Sequence, residues 1–288
     1  MQKGKVIKTY NSFFYVQTEK QLISCKMRGK FKKKTGIYLG DWVDVCQLED
    51  GTGVIEHIFP RHNLLKRPAV ANIDQVILVF AAMQPNLHWL LLNRFLVLAE
   101  WSRIDNIIIC VNKMDLCKER DMLSLYRSIG YPVLCVSAKE QFGIESLKSI
   151  LSGHSTVFAG PSGVGKSSLL NCLDESFSLA TGEVSEKIKR GKHTTRVAQI
   201  IPYQDGYVVD TPGFSAMELA DIGKQDLAGF FPEFGEYVNS CYFSPCSHTH
   251  EPNCSVKEAV RNGSIATERY EAYRSILSEI EERKRGFK

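Results

Sequence analysis

The sequence predicts a multidomain chain. An N-terminal all-β barrel of the oligonucleotide-binding type is followed by an α/β domain with a parallel sheet and then by a metal-binding region of helices and loops. Three observations predict it. Five short β-branched or aromatic runs precede residue 66, apolar strands alternate with helical patterns from Gln75 to Leu173, and three cysteines crowd between Cys241 and Cys254. The expected domains are 1–66, 67–220 and 221–288. With 288 residues, 44% hydrophobic and 24% charged, the chain can bury two or three cores, which excludes collagen-like, low-complexity and disordered classes. The start is polar and lysine-bearing, unlike a secretory signal, and no apolar run approaches the roughly twenty residues of a bilayer span. A soluble, cytoplasmic, monomeric protein is expected.

The barrel strands are Lys5-Val-Ile, Phe13 to Val16, Leu22 to Cys25, Trp42 to Val45 and Gly53 to Ile55, separated by Gly, Asn, Asp and Lys clusters. An SH3-like barrel fits this spacing almost as well. Pro60 and Pro68 bracket a linker. Beyond it, strands are expected at Gln75–Phe80, Asn106–Val111, Val133–Val136, Thr156–Ala159 and Tyr207–Val209. Helices are expected at 87–102, 120–129, 144–151, 168–173 and 264–285. Residues 1–34 hold ten Lys/Arg and one acid, although the whole chain is only +4. Such a block fits a polyanion partner, and equally a solvated face. Its interleaved aromatics, Phe13, Phe14, Tyr15 and Phe31, offer faces for bases or simply barrel core.

The strongest chemical signal is Gly160-Pro161-Ser162-Gly163-Val164-Gly165-Lys166-Ser167, followed by Ser168. It lies between an apolar strand and a helix, the context in which backbone N–H groups cradle phosphates. Lys166 would reach the β- and γ-phosphates, and Ser167 would bind Mg²⁺. Asn112-Lys113-Met114-Asp115 ends a strand and resembles the guanine-reading N-K-x-D motif of GTPases. Guanine offers two adjacent donors, N1–H and the exocyclic amine, that one carboxylate accepts together and adenine does not supply. Ser137-Ala138-Lys139 ends the next strand like the S-A-K motif, with the Ala138 N–H meeting guanine O6. Asp210-Thr-Pro-Gly213 resembles D-x-x-G: Asp210 would hold Mg²⁺ through water, and Gly213 would sense the γ-phosphate. Gly191-Lys-His-Thr-Thr195 supplies a threonine for the metal, with Thr195 favoured over Thr194.

The order of these motifs is unusual. N-K-M-D and S-A-K precede the phosphate loop, whereas ordinary GTPases place them last, so the central unit reads as a circularly permuted P-loop GTPase domain. The water-orienting glutamine that often follows D-x-x-G is replaced by Phe214, which cannot hydrogen-bond water. His193 is the polar substitute in the same mobile-type segment. Separately, Cys241-x₄-Cys246-x-His248-x₅-Cys254 suits tetrahedral Zn²⁺ with no open position, hence a structural site. His250 rivals His248 as the imidazole ligand.

Together these features resemble the ribosome small-subunit-dependent GTPase A family of bacteria. The resemblance covers essentially the whole chain and includes Arg67-Pro-Ala and Asn72-Ile-Asp-Gln. Lys192 stands where many members carry arginine, a departure without consequence for the reading. The resemblance implies a late maturation factor of the 30S subunit that binds 16S rRNA, hydrolyses GTP there and leaves as GDP forms. It also implies that His193 is catalytic.

Overall fold

Alternation of inward apolar and outward polar residues closes the first five strands into a barrel. In the computed structural model, which describes residues 1–28, 36–66, 69–119, 121–174, 177, 199–210 and 219–286, these are β1 (Gln2–Tyr10), β2 (Phe13–Thr18), β3 (Leu22–Met27), β4 (Trp42–Gln47) and β5 (Gly53–Ile58). Their order is β1-β2-β3-β5-β4 with β1 returning to β4, and β3 pairs with β5 in parallel. That closure is the Greek-key oligonucleotide-binding arrangement, which settles the choice against the SH3-like alternative. Val6, Val16, Ile23, Cys25, Val43, Val45 and Ile55 fill the interior. Gly4 lets β1 pass close to β2, since a Cβ there would lie 2.5 Å from a Val16 methyl. A bulge between Val6 and Lys8 bends the strand around the closure.

The linker is more ordered than its prolines imply. Leu64–Lys66 (β6) and Ala69–Ala71 (β7) form an antiparallel ribbon whose Leu65 and Val70 are buried. Leu39 bridges to Val70 and ties the ribbon to the barrel.

The central sheet has the order β10-β9-β8-β11-β13-β12. Its strands are β8 (Gln75–Ala81), β9 (Asn106–Asn112), β10 (Val133–Cys135), β11 (Ser155–Ala159), β12 (Gln199–Tyr203) and β13 (Gly206–Asp210). All pairings are parallel except β12–β13. Every residue of β8 is buried, as expected for a central parallel strand covered on both faces. Connecting helices are α1 (Trp89–Trp101), α2 (Ser124–Ile129), α3 (Ile144–Leu151) and α4 (Lys166–Leu173). Helix α2 is shorter than the sequence pattern predicts, because residues 122–123 form a turn. Strand β12 is absent from the sequence reading. It contains Pro202, which an edge strand tolerates because one side needs no ladder donor.

Beyond the sheet lie 3₁₀ turns and two helices, α5 (Ser255–Arg261) and α6 (Thr267–Gly286). Phe231, Phe234 and Tyr273 form an aromatic core with ring centroids 5.1–5.4 Å apart. Arg269 of α6 is fully buried against it and grips Glu233 at 2.5 and 3.1 Å, with a further bond to Asn93 of α1. Replacing Arg269 by methionine would strand the Glu233 carboxylate, whose side chain is 11% exposed. A loss of about 3–5 kcal/mol is expected in urea denaturation. The double change Arg269→Met, Glu233→Leu should recover most of it. Among the described residues, no helix is long and apolar enough to cross a membrane.

Candidate functional site

Parallel strands end in a row of loops, and a crevice opens where successive connections leave to opposite sides. Here that point is β8. The chain proceeds from β8 to β9 and β10 on one side, then crosses to β11 on the other. The phosphate loop, the N-K-M-D segment and the S-A-K segment all lie at this edge of the sheet.

The phosphate loop joins β11 to α4. Gly160 (φ +143°), Gly163 (φ +79°) and Gly165 (φ +93°) occupy backbone conformations that side chains disfavour. A Cβ on Gly160 would lie 2.0 Å from the Val79 carbonyl oxygen, and one on Gly165 would lie 2.3 Å from Asn112 Nδ2. Val164 is buried beneath the loop, whereas Ser162, Ser167 and Ser168 are exposed. Lys166 Nζ donates to the carbonyls of Gly160 (2.8 Å) and Pro161 (2.6 Å), and burial lowers its pKa. The ammonium thus sits over the loop that an anion would fill, held by weak neutral acceptors.

The N-K-M-D and S-A-K segments are tied to this loop by side chains distant in sequence. Asn112 Nδ2 donates to the Val164 carbonyl at 2.9 Å, and its Oδ1 accepts the Ala138 N–H at 3.1 Å. Lys113, in the left-handed region at φ +60°, donates from Nζ to the Gly163 carbonyl at 2.8 Å and also to the Gln84 carbonyl. Ser137 Oγ donates to Asp115 Oδ1 at 2.6 Å while accepting the Glu140 N–H. Asn112 and Lys113 therefore bond directly to the phosphate loop, Ala138 joins it through Asn112, and Ser137 and Asp115 hold each other beside it. Lys139 instead is exposed and pairs with Glu140. Asp210 ends β13 with its backbone paired to Gln199. The Asp210 side chain, His193, Thr195 and Gly213 lie outside the described residues.

Three supporting residues escape sequence reasoning. Gln84 braces Lys113, as described above. Gln141 Nε2 donates to the Ala138 carbonyl at 3.0 Å, and Cys172 Sγ lies 3.5 Å from the same oxygen. They act through backbone atoms or on them, so no motif marks them.

The second cluster stands apart. Cys241, Cys246, His248 and Cys254 place their ligand atoms within 4.8 Å of one another. A tetrahedral ion with bonds of about 2.3 Å to sulfur and 2.05 Å to nitrogen requires S–S edges of about 3.8 Å and S–N edges of about 3.6 Å. Cys241 Sγ to Cys254 Sγ is 3.8 Å, and His248 Nδ1 lies 3.5 and 3.4 Å from those two sulfurs. The donor set fits a tetrahedral metal ion. His248 is buried beside Cys254 with Cys241 and Cys246 half-buried around it, whereas the His250 side chain is 83% exposed and outside the cluster. Helix α6 holds this loop, with Tyr270 Oη donating to the His248 carbonyl and Tyr273 Oη to that of Ser247.

Residues 58–220 match the RsgA GTPase family, and residues 3–55 match the RsgA N-terminal domain. The chain is 44% identical to the small ribosomal subunit biogenesis GTPase RsgA of Alkaliphilus metalliredigens, covering 99% of this chain and 100% of that one. It is 48% identical to the protein of the same name from Clostridium botulinum, covering 96% and 97%. Among solved structures, YjeQ from Thermotoga maritima superposes with a TM-score of 0.83 at 41% identity, over 97% of this chain and 98% of that one. YloQ, described as a circularly permuted GTPase, gives 0.83 at 37%, over 98% and 96%. With a family match over more than half its length and relatives this similar end to end, the chain belongs to the RsgA GTPase family.

Proposed function

We propose that the chain hydrolyses GTP and acts late in maturation of the 30S ribosomal subunit, binding 16S rRNA and leaving as GDP forms. The observation that carries this reading is the bonded contact of three loops at the switch point of the sheet: Asn112 to Val164, Lys113 to Gly163, and Ser137 to Asp115. A phosphate cradle and a carboxylate held by a buried serine thereby face one crevice. The relatives' shared name, small ribosomal subunit biogenesis GTPase, supports the subunit as partner.

In this reading, residues 160–168 wrap the phosphates, and Lys166 exchanges its two carbonyl partners for phosphate oxygens. Asp115 accepts the two guanine donors, the Ala138 N–H meets O6, and Lys113 covers the ring face. Lys139 lines the outer rim. Ser167 and Thr195 would hold Mg²⁺ directly, and Asp210 would hold it through water. The ion would neutralise charge between the phosphates. Gly213 would sense the γ-phosphate. His193 would orient the attacking water in place of the missing glutamine. Zn²⁺ in the Cys₃His cluster would be structural, because four protein ligands leave no open position. The basic barrel would track rRNA phosphates, with Lys26 over Phe13 and Lys8 over Tyr15 pairing charge with stacking faces.

Turnover of GTP and ATP, each with and without purified 30S particles, tests this reading. GTP should be preferred, and 30S but not 50S particles should accelerate its hydrolysis. His193→Ala should abolish the acceleration. Binding of GTP to the wild type without turnover on the subunit would instead make the protein a GTP-liganded assembly scaffold.

A further inference from the structure

Among the described cations of the basic block, Lys5 is not on the surface. Lys5 projects outward from β1, yet it is 1% exposed, because the barrel docks by this face onto the N-terminal edge of the central sheet. Its Nζ donates to Ser155 Oγ. It also lies 4.7 Å from the Tyr207 ring centroid and 5.3 Å from that of Trp42 in β4. Asp74, just ahead of β8, accepts the Ser155 N–H at 2.7 Å and faces the ammonium. Burial lowers the Lys5 pKa to about 8 against the pull of Asp74.

The partners of Lys5 are two particular strands. Ser155 is the first residue of β11, Tyr207 is the second of β13, and the two residues are register partners. Strand β11 runs without interruption into Gly160 and the phosphate loop. Strand β13 ends on Asp210. One barrel side chain thus grips the roots of two strands, of which β11 leads into the phosphate loop and β13 ends on Asp210. Five steps from Ser155 to Gly160 and three from Tyr207 to Asp210, at about 3.3 Å each, separate root from tip, and a paired β-strand moves as a stiff unit over that length. Methionine could fill the same space without a buried charge. The charge adds a directional grip on Ser155 and on two aromatic rings, one from each domain.

We propose that Lys5 is a positioning residue that couples the nucleotide loops to the barrel, so that replacing GDP by GTP moves β11 and β13 against Lys5 and changes the packing at Trp42. The inference rests on the nucleotide-binding reading above. Linkage makes the coupling reciprocal: an occupant that shifts the barrel would shift nucleotide affinity through the same contact.

The test uses the full chain carrying Trp89→Phe and Trp101→Phe, which leaves Trp42 as the sole tryptophan of the original three. Exchanging GDP for a non-hydrolysable GTP analogue should shift Trp42 emission. Lys5→Met should remove the shift while leaving the affinity for fluorescent GDP unchanged. Tyr207→Phe, which keeps the ring, should preserve it, and Tyr207→Leu should not. If the lysine served only stability, Lys5→Met would lower the melting temperature without altering the difference between the two nucleotides. If Lys5→Met does not fold, Ser155→Ala and Tyr207→Leu carry the same expectation. A Trp42 signal that is blind to the nucleotide, or a full shift in the Lys5→Met protein, would overturn the coupling while leaving nucleotide binding intact. Absence of nucleotide binding in the parent protein would remove the functional reading itself, and the coupling with it.

Discussion

Cys254→Ser protein is expected to lose its bound metal and the ordered structure of the C-terminal region, while the barrel and central sheet stay folded. The region has little else to hold it. From Cys241 to Cys254 the chain has no helix or strand, and its aromatics Tyr242 and Phe243 are exposed. Besides the four residues that could hold a metal ion, it is tied by two tyrosine hydroxyls of α6 and by the Glu251 carboxylate, which accepts the Ser247 and Thr249 N–H groups. Structural zinc contributes about 10–16 kcal/mol in small zinc-dependent peptides, more than the whole stability of most domains. Elemental analysis of the purified wild type should find about one zinc per chain, the content of a single four-ligand site. Hydrogen exchange should show α5 and α6 losing protection in the variant while β8 and β9 keep theirs. Chelation of the wild type should reproduce that pattern. Unchanged protection of α5 after complete metal removal would show that the aromatic core around Tyr273 suffices without the ion.

The metal loop was legible because its chemistry is concentrated in one short stretch of chain. The loops gathered at one edge of the central sheet were legible for a different reason. Asn112, Ser137 and Gly160 each fall where an apolar strand stops, so strand ends and motifs mark the same edge of one sheet. Barrel class was open between two closures, since strand spacing says nothing of the parallel β3–β5 pair that decides it. Strand β12 was hidden by Pro202, although Asp205-Gly206 beside it is a hairpin signal. The prolines around the linker hid the β6–β7 ribbon in the same way. Lys5 was misleading in another sense. Within a run of ten cations it reads as one more solvated charge, and nothing local shows that a second domain covers it. Partners such as Gln84, whose own backbone carbonyl accepts from Lys113, and Gln141, whose amide donates to the Ala138 carbonyl, leave no trace in residue type.

Asp115→Asn should lower GTP affinity by about 10²–10⁴-fold and transfer the preference to xanthosine triphosphate. Two charge-assisted hydrogen bonds, each worth about 1.5–3 kcal/mol, join a carboxylate to guanine N1–H and N2–H, and their loss sets the scale of the effect. The surroundings decide which way the new amide points. Ser137 Oγ accepts the Glu140 N–H at 3.1 Å, so its own proton goes to residue 115. Asparagine therefore keeps its carbonyl oxygen toward Ser137 and presents Nδ2 to the base. An amine then faces the guanine amine, donor against donor, whereas xanthine offers a carbonyl at the same position. Side-chain volume is unchanged and the serine bond survives, so the melting temperature should stay near that of the wild type. Competition of GTP and xanthosine triphosphate for the site, read by displacement of fluorescent GDP from the wild type and fluorescent XDP from the variant, measures the exchange. An unaltered ratio of the two affinities would mean that the base is read elsewhere than at the end of β9, and would leave the Ser137–Asp115 bond as a brace for the loop alone.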